Sequence, residues 1–149
     1  MMELKEALYR AVQEIFAMLN LKPELTQEIM ESSLTSVSDI NAVVGFNYTI
    51  KGNIVFAFDK NIASMITVAM TGEKAEEFDS KIKNAVRDLA KIVTDLALGK
   101  LNINSSIYFT PPPTLVTGEN IFLLISRTRS ERLSFRINNA EFSIAYSLE

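Results

Sequence analysis

Asn84, Asp88, Lys91 and Asp95 recur at spacings of four, three and four within the longest uninterrupted periodic run of the chain, Asp79 to Leu101. That spacing puts them on one face of a helix. A carboxylate and an ammonium on neighbouring turns have two uses. The plain one is local. Asp88 with Lys91, and Lys91 with Asp95, stabilise a helix by about 0.2–0.5 kcal/mol per pair, and the stripe is then the solvated side of an amphipathic element. The other use is contact with a partner, which is the functional question this stretch poses.

Composition narrows the chemistry. The chain has 149 residues, 48% of them apolar, with no cysteine and no histidine. That length fits one domain of common size, spanning residues 1–149, with enough apolar surface for a core. Without cysteine there is no disulfide framework and no thiolate nucleophile. Without histidine, a Ser-His triad and the usual zinc sites are excluded. Asp39, Asp59 and Asp79 read as separate cap or loop residues, so no metal and no cofactor is expected. The net charge of −3 and the lack of a basic tract argue against nucleic acid as partner. Arg127, Arg129 and Arg132 form a small basic cluster, read first as solvated strand-end charge. No apolar run is long enough to span a membrane. MMELKEALYR carries acidic residues and does not read as a secretory signal, so a cytoplasmic protein is expected. Leu148-Glu149 has the look of a cloning scar.

The elements that must position the stripe follow from periodicity. Ile82, Val86, Leu89, Val93 and Leu96 make the inner face of the central helix, with Asp79 as N-cap and Gly99-Lys100 at its end. Leu4, Leu8, Ala11, Val12, Ile15, Phe16 and Leu19 give another amphipathic helix over about 3–19, stopped by Asn20 and Pro23, and residues 23–31 suggest a short second one. From Ile40 to Ile50 the period falls to two, as in a strand with one buried face. Gly52-Asn53 supplies turn chemistry, and Ile54 to Phe58 runs back to complete a hairpin. Asp59 caps a short helix that ends at Thr71-Gly72.

Ile103 to Phe109 reads as a strand, broken by Pro111-Pro112-Pro113 because proline lacks the N–H a ladder needs. Asn120 to Thr128 is another strand. Leu133, Phe135 and Ile137 alternate, Asn138-Asn139 turns, and Phe142, Ile144, Tyr146 and Leu148 alternate back. Hairpin-joined strands with no βαβ alternation make the class α+β, mostly antiparallel sheet with helices packed on it. If the last strand lies at an edge, it is open to pairing with a second copy.

Three stretches together resemble a known family: VVGFNYTIKGNIVFAFDKNIASMITVAMTGE from Val43 to Glu73, NAVRDLAKIVTDLALGKL from Asn84 to Leu101, and TPPPTLVTGEN from Thr110 to Asn120. A Gly in the first strand, a Gly at the hairpin, Phe-Asp before a helix, Met-x-Gly after it and PPTxVxG downstream are similar to CheX, the small single-site member of the CheC/CheX/FliY phosphatases of bacterial chemotaxis. The resemblance covers roughly residues 36 to 148. It implies an antiparallel sheet with long helices packed on it and a CheY-type phosphorylated response regulator as partner. It also implies hydrolysis of the regulator's aspartyl phosphate, a homodimer, and any Mg2+ held by the regulator rather than by this chain.

In that family a helical Glu-x-x-Asn enters the regulator's active site. The Asn orients the attacking water and the Glu pairs with a regulator lysine. A Ser or Asp precedes the Glu by four residues, and a Pro follows the Asn by some twenty. Here the Ser/Asp position falls on Asn84, the Glu position on Asp88 and the Asn position on Lys91. The downstream proline is Pro112 or Pro113. Asp88 and Lys91 are therefore the catalytic-position residues, both substituted, and Asn84, Asp88, Lys91 and Asp95 the partner-facing stripe.

An ammonium only donates hydrogen bonds, so Lys91 cannot accept a water's hydrogen as an Asn amide does. It can attract a phosphoryl group, but attraction felt equally in the ground state does not speed the reaction. Asp88 keeps the sign of Glu on a shorter stem. Three readings follow: a CheX-like protein that binds a phosphorylated regulator with weak or absent hydrolysis, an active phosphatase using Asp88 and Lys91 differently, and a dimeric adaptor without catalysis.

Overall fold

Apolar faces of three helices meet one side of an antiparallel sheet. The structure is a computed structural model that describes residues 2–47, 50–74, 80–101 and 110–149. The expected N-cap Asp79 and the expected strand Ile103–Phe109 lie outside these residues. In chain order the elements are α1 (Leu4–Met18), β1 (Glu24–Glu31), β2 (Leu34–Asn47), β3 (Lys51–Phe58), α2 (Lys60–Thr71), α3 (Ser80–Lys100), β4 (Thr114–Ser126), β5 (Ser130–Ile137) and β6 (Ala140–Leu148). The described strands form one sheet in the order β1-β5-β6-β3-β2-β4, with every neighbouring pair antiparallel.

The core lies between the helices and the face of the sheet that carries Ile40, Ala42, Val44, Ile54, Phe56, Phe58, Leu133, Phe135, Phe142 and Ile144. Phe142 is its centre: its ring lies 5.2 Å from Phe16 of α1, 5.1 Å from Phe135 and 5.6 Å from Phe58. On α3, Ile82, Val86, Leu89 and Val93 are buried as their spacing requires, while Leu96 is half-buried at the rim. α2 starts as expected, with Asp59 Oδ1 accepting from the Ile62 N–H at 2.8 Å. It ends at Gly72, whose φ of 73° suits a residue without Cβ.

Several expectations are corrected. Residues 23–31 do not form a helix. Glu24–Glu31 is an edge strand paired along β5, from Glu24 opposite Arg136 to Glu31 opposite Ser130. Gly52-Asn53 is not the hairpin turn, since β3 already begins at Lys51 and Gly52 sits opposite Phe46 on one side and Leu148 on the other. β2 starts at Leu34 and β4 at Thr114, each six residues earlier than its expected strand (40 and 120). The last strand, β6, is interior, between β5 and β3; among the described strands the edges are β1 and β4.

The pairing of β2 with β4 shifts register at a bulge between Ser38 and Ile40. There the fully buried Asn41 amide donates to the carbonyls of Ser38 and Val116 at 3.0 and 3.2 Å and accepts from the Ser36 hydroxyl. Beyond the bulge, Leu34 packs on Val55 and Ala145, on a second, smaller apolar cluster.

Candidate functional site: the outer face of the central helix

α3 is anchored by its buried face against α1 and α2, which leaves its polar stripe outward. Asn84 and Asp88 are exposed. The Arg87 guanidinium donates to Asn84 Oδ1 at 3.1 Å, while Asp88 forms no ion pair among the described residues. Ile92, one turn past Asp88, is also exposed. At the start of this face Lys81 pairs with Glu73, beyond the end of α2, and holds the Glu73 carboxyl below the usual carboxylate range.

Lys91 and Asp95 behave differently. Their side chains are 39% and 34% exposed and turn toward Thr110, the residue before the proline run. Lys91 Nζ donates to Asp95 Oδ2 at 3.0 Å and to the carbonyl and Oγ1 of Thr110, each at 3.2 Å. Thr110 Oγ1 donates to Asp95 Oδ1 at 2.6 Å. Thr110 itself is buried. The stripe therefore divides in two: Asn84 and Asp88 face outward, and Lys91 and Asp95 are tied to the chain's own segment ahead of β4.

Thr110 is the neighbour of this face that sequence reasoning missed. It opens the stretch TPPPTLVTGEN, but nothing in local spacing couples it to residues 15 and 19 positions earlier. Pro111 and Pro112 are exposed and Pro113 is buried.

The arginine cluster does not assemble. Arg127 and Arg129 are exposed, whereas Arg132 is committed internally. It donates to Glu31 Oε1 at 2.8 Å, to the Ser143 hydroxyl at 3.0 Å and to the Thr35 carbonyl, and so ties β5 to β1, β6 and the start of β2. Among the described residues no three acidic side chains converge on a point where a metal ion would sit, and no helix is long and apolar enough to cross a membrane.

No curated protein matches the chain. Solved structures do. A chemotaxis protein CheX from Desulfovibrio desulfuricans aligns with a TM-score of 0.86 at 21% identity, over 99% of this chain and 100% of that one. Chemotaxis protein CheX from Vibrio vulnificus aligns with a TM-score of 0.85 at 16% identity, over 99% and 100% of the two chains. A chain of the CheX-CheY-BeF3-Mg2+ complex from Borrelia burgdorferi aligns with a TM-score of 0.76 at 15% identity, over 100% and 99%. At such identities these likenesses establish the fold, three helices on an antiparallel sheet. The family model for chemotaxis phosphatase CheX matches residues 40–138, a span that holds β3, α2, the whole of α3 and Thr110. With that match covering more than half of its length, the chain belongs to the chemotaxis phosphatase CheX family.

Proposed function

We propose that this protein binds the phosphorylated receiver of a CheY-type response regulator in the cytoplasm, through the outer face of α3, and hydrolyses the aspartyl phosphate slowly or not at all. Family membership supports the partner, as does the similar structure from Borrelia burgdorferi, a complex of CheX with CheY, BeF3 and Mg2+. The observation that carries the second half is the state of Lys91. In-line hydrolysis needs a water held by an acceptor and a donor together. Position 91 carries an ammonium, which lacks the acceptor, and this ammonium already donates to Asp95 and Thr110. Asp88 remains as an exposed carboxylate to pair with a lysine of the regulator. Loss of one positioned catalytic group lowers rates by on the order of 100- to 10,000-fold.

The test is the decay of a phosphorylated CheY-type regulator from the same genome, with and without this protein. Unchanged or slower decay, together with retention of the phosphorylated regulator on the immobilised protein, is the expected result. Faster decay would favour an active phosphatase using Asp88 and Lys91. No retention of either form of the regulator would favour an adaptor that does not meet it.

A homodimer is part of the same reading. Among the described strands β4 is an edge, and it carries Phe122 opposite Val37 and Leu124 opposite Thr35 in register with β2. Val37, Phe122 and Leu124 are 57%, 64% and 50% exposed. An open edge beside exposed apolar side chains is a surface that invites pairing. We infer that a second copy covers it.

A further inference from the structure

An ammonium has three N–H bonds. Around Lys91 Nζ stand three acceptors: Asp95 Oδ2 at 3.0 Å, the Thr110 carbonyl at 3.2 Å and Thr110 Oγ1 at 3.2 Å. The Thr110 hydroxyl passes its own hydrogen to the other Asp95 oxygen at 2.6 Å, so the cycle closes. Helix stability does not explain this arrangement. A lysine four residues ahead of its acidic partner is the weaker orientation of an i,i+4 pair. What distinguishes it is the buried Thr110, which supplies two of the three acceptors from outside the helix.

Resting on the reading that the outer face of α3 meets a phosphorylated receiver, we infer that Thr110 is a positioning residue: with Asp95 it takes every N–H bond of Lys91 and keeps the ammonium on this protein's own surface, away from the partner's phosphoryl group. Lys91 can donate to a phosphoryl oxygen only by giving up one of these acceptors. Binding then depends on Asp88 and its surroundings more than on the phosphoryl charge, and it discriminates less between phosphorylated and unphosphorylated regulator than a free lysine at position 91 would.

Two measurements test this. The first needs no partner. Brief acylation with an N-hydroxysuccinimide ester near neutral pH, read residue by residue by mass spectrometry, compares Lys91 with Lys60, an exposed lysine at the start of α2. Lys91 is expected to react about tenfold more slowly, what one charge-assisted hydrogen bond is worth. Thr110→Val removes one of the three acceptors and should weaken that protection, and Thr110→Ser, which keeps the hydroxyl, should retain it. If Thr110→Val does not fold, Asp95→Asn takes its place and should likewise raise the reactivity of Lys91. Equal reactivity of Lys91 and Lys60 in the unchanged protein overturns the inference.

The second measurement is affinity for a CheY-type regulator of the same genome, with and without beryllofluoride as the stand-in for the aspartyl phosphate. Thr110→Val should raise the ratio of the two affinities by about tenfold, and Thr110→Ser should leave it as it is. An unaltered ratio in Thr110→Val overturns the inference and leaves the docking reading standing. If the unchanged protein binds neither form, the docking reading fails and the inference fails with it.

Discussion

Asn41 Nδ2 donates to the carbonyl of Ser38 at 3.0 Å, across the bulge in the pairing of β2 with β4. The same amide donates to the Val116 carbonyl of β4 and accepts from the Ser36 hydroxyl. One fully buried side chain thereby satisfies three polar groups beside the bulge. Asn41→Ala should leave those groups buried and unpaired, at a cost of about 1–3 kcal/mol in stability. Urea denaturation followed by circular dichroism measures it. A loss no greater than that of an exposed control such as Asn84→Ala would mean that the network contributes little.

Gly52 lies inside β3 where the backbone of Ser147 in β6 passes close by, so a Cβ at this position would run into the Ser147 carbonyl oxygen. Its φ is not in the left-handed region; the requirement is for space. Gly52→Ala should destabilise the protein by about 1–3 kcal/mol through forced separation of β3 from β6. Gly99→Ala, in the last turn of α3 with open space around it, should be neutral or slightly stabilising. Comparison of the two melting temperatures decides the matter.

These cases mark where the chain was legible. Helices with a buried stripe, such as α1 and α3, follow directly from their apolar spacing, and so does the β5–β6 hairpin around Asn138, whose φ is 55°. β1 was not legible because its strand is exposed on nearly every residue, so Leu25, Ile29 and Met30 show no alternation, and Glu and Gln favour a helix locally. Its partner strand lies about a hundred residues away, and pairing at that distance overrides local propensity. Gly52 reads as a turn residue because glycine answers to two needs, a turn or a close approach, and only the neighbouring strand distinguishes them. On the site, helical spacing identified the stripe but not its division, since Thr110 reaches Lys91 through tertiary contact alone.

Tyr146 is buried on β6, with the Glu131 carboxylate of β5 opposite it. Burial first, and then that negative charge, push its hydroxyl well above the ordinary value of 10.0. In the unfolded chain the tyrosine loses its proton near that ordinary value, while the folded protein keeps it. The folded state then binds more protons than the unfolded one, so stability is intact below about pH 10 and falls as pH rises beyond it. Tyr146→Phe should flatten the fall. Urea midpoints at about pH 9 and pH 11 for both proteins provide the check, and equal slopes would remove Tyr146 as the cause.

The place of β4 at the edge of the described strands gives a direct expectation for assembly. Phe122→Lys places a charge on the most exposed of its large apolar side chains, without touching the core. If two copies pair along this edge, sedimentation should show a dimer for the unchanged protein and a monomer for the variant, with the same melting profile at high dilution. A dimer that survives Phe122→Lys, and also Leu124→Lys, would place the contact elsewhere, for instance on the exposed β1 edge.

Restoring the family's catalytic pair separates docking from chemistry. Asp88→Glu with Lys91→Asn gives position 91 an amide that can accept from water and donate at once. It also withdraws the cation from Asp95 and two donor contacts from Thr110, so Asp95 becomes an uncompensated negative charge one turn from the new amide. That charge opposes an approaching phosphoryl group. The double variant is therefore expected to hydrolyse a phosphorylated regulator faster than the unchanged protein but to fall short of the 100- to 10,000-fold or so that a positioned group supplies. Adding Asp95→Asn should recover a further part of the rate by removing the repulsion. The decay of the phosphorylated regulator under single-turnover conditions measures each step. If neither the double nor the triple variant adds rate while both still bind the regulator, then Asp88 and Lys91 do not occupy the catalytic positions of this face.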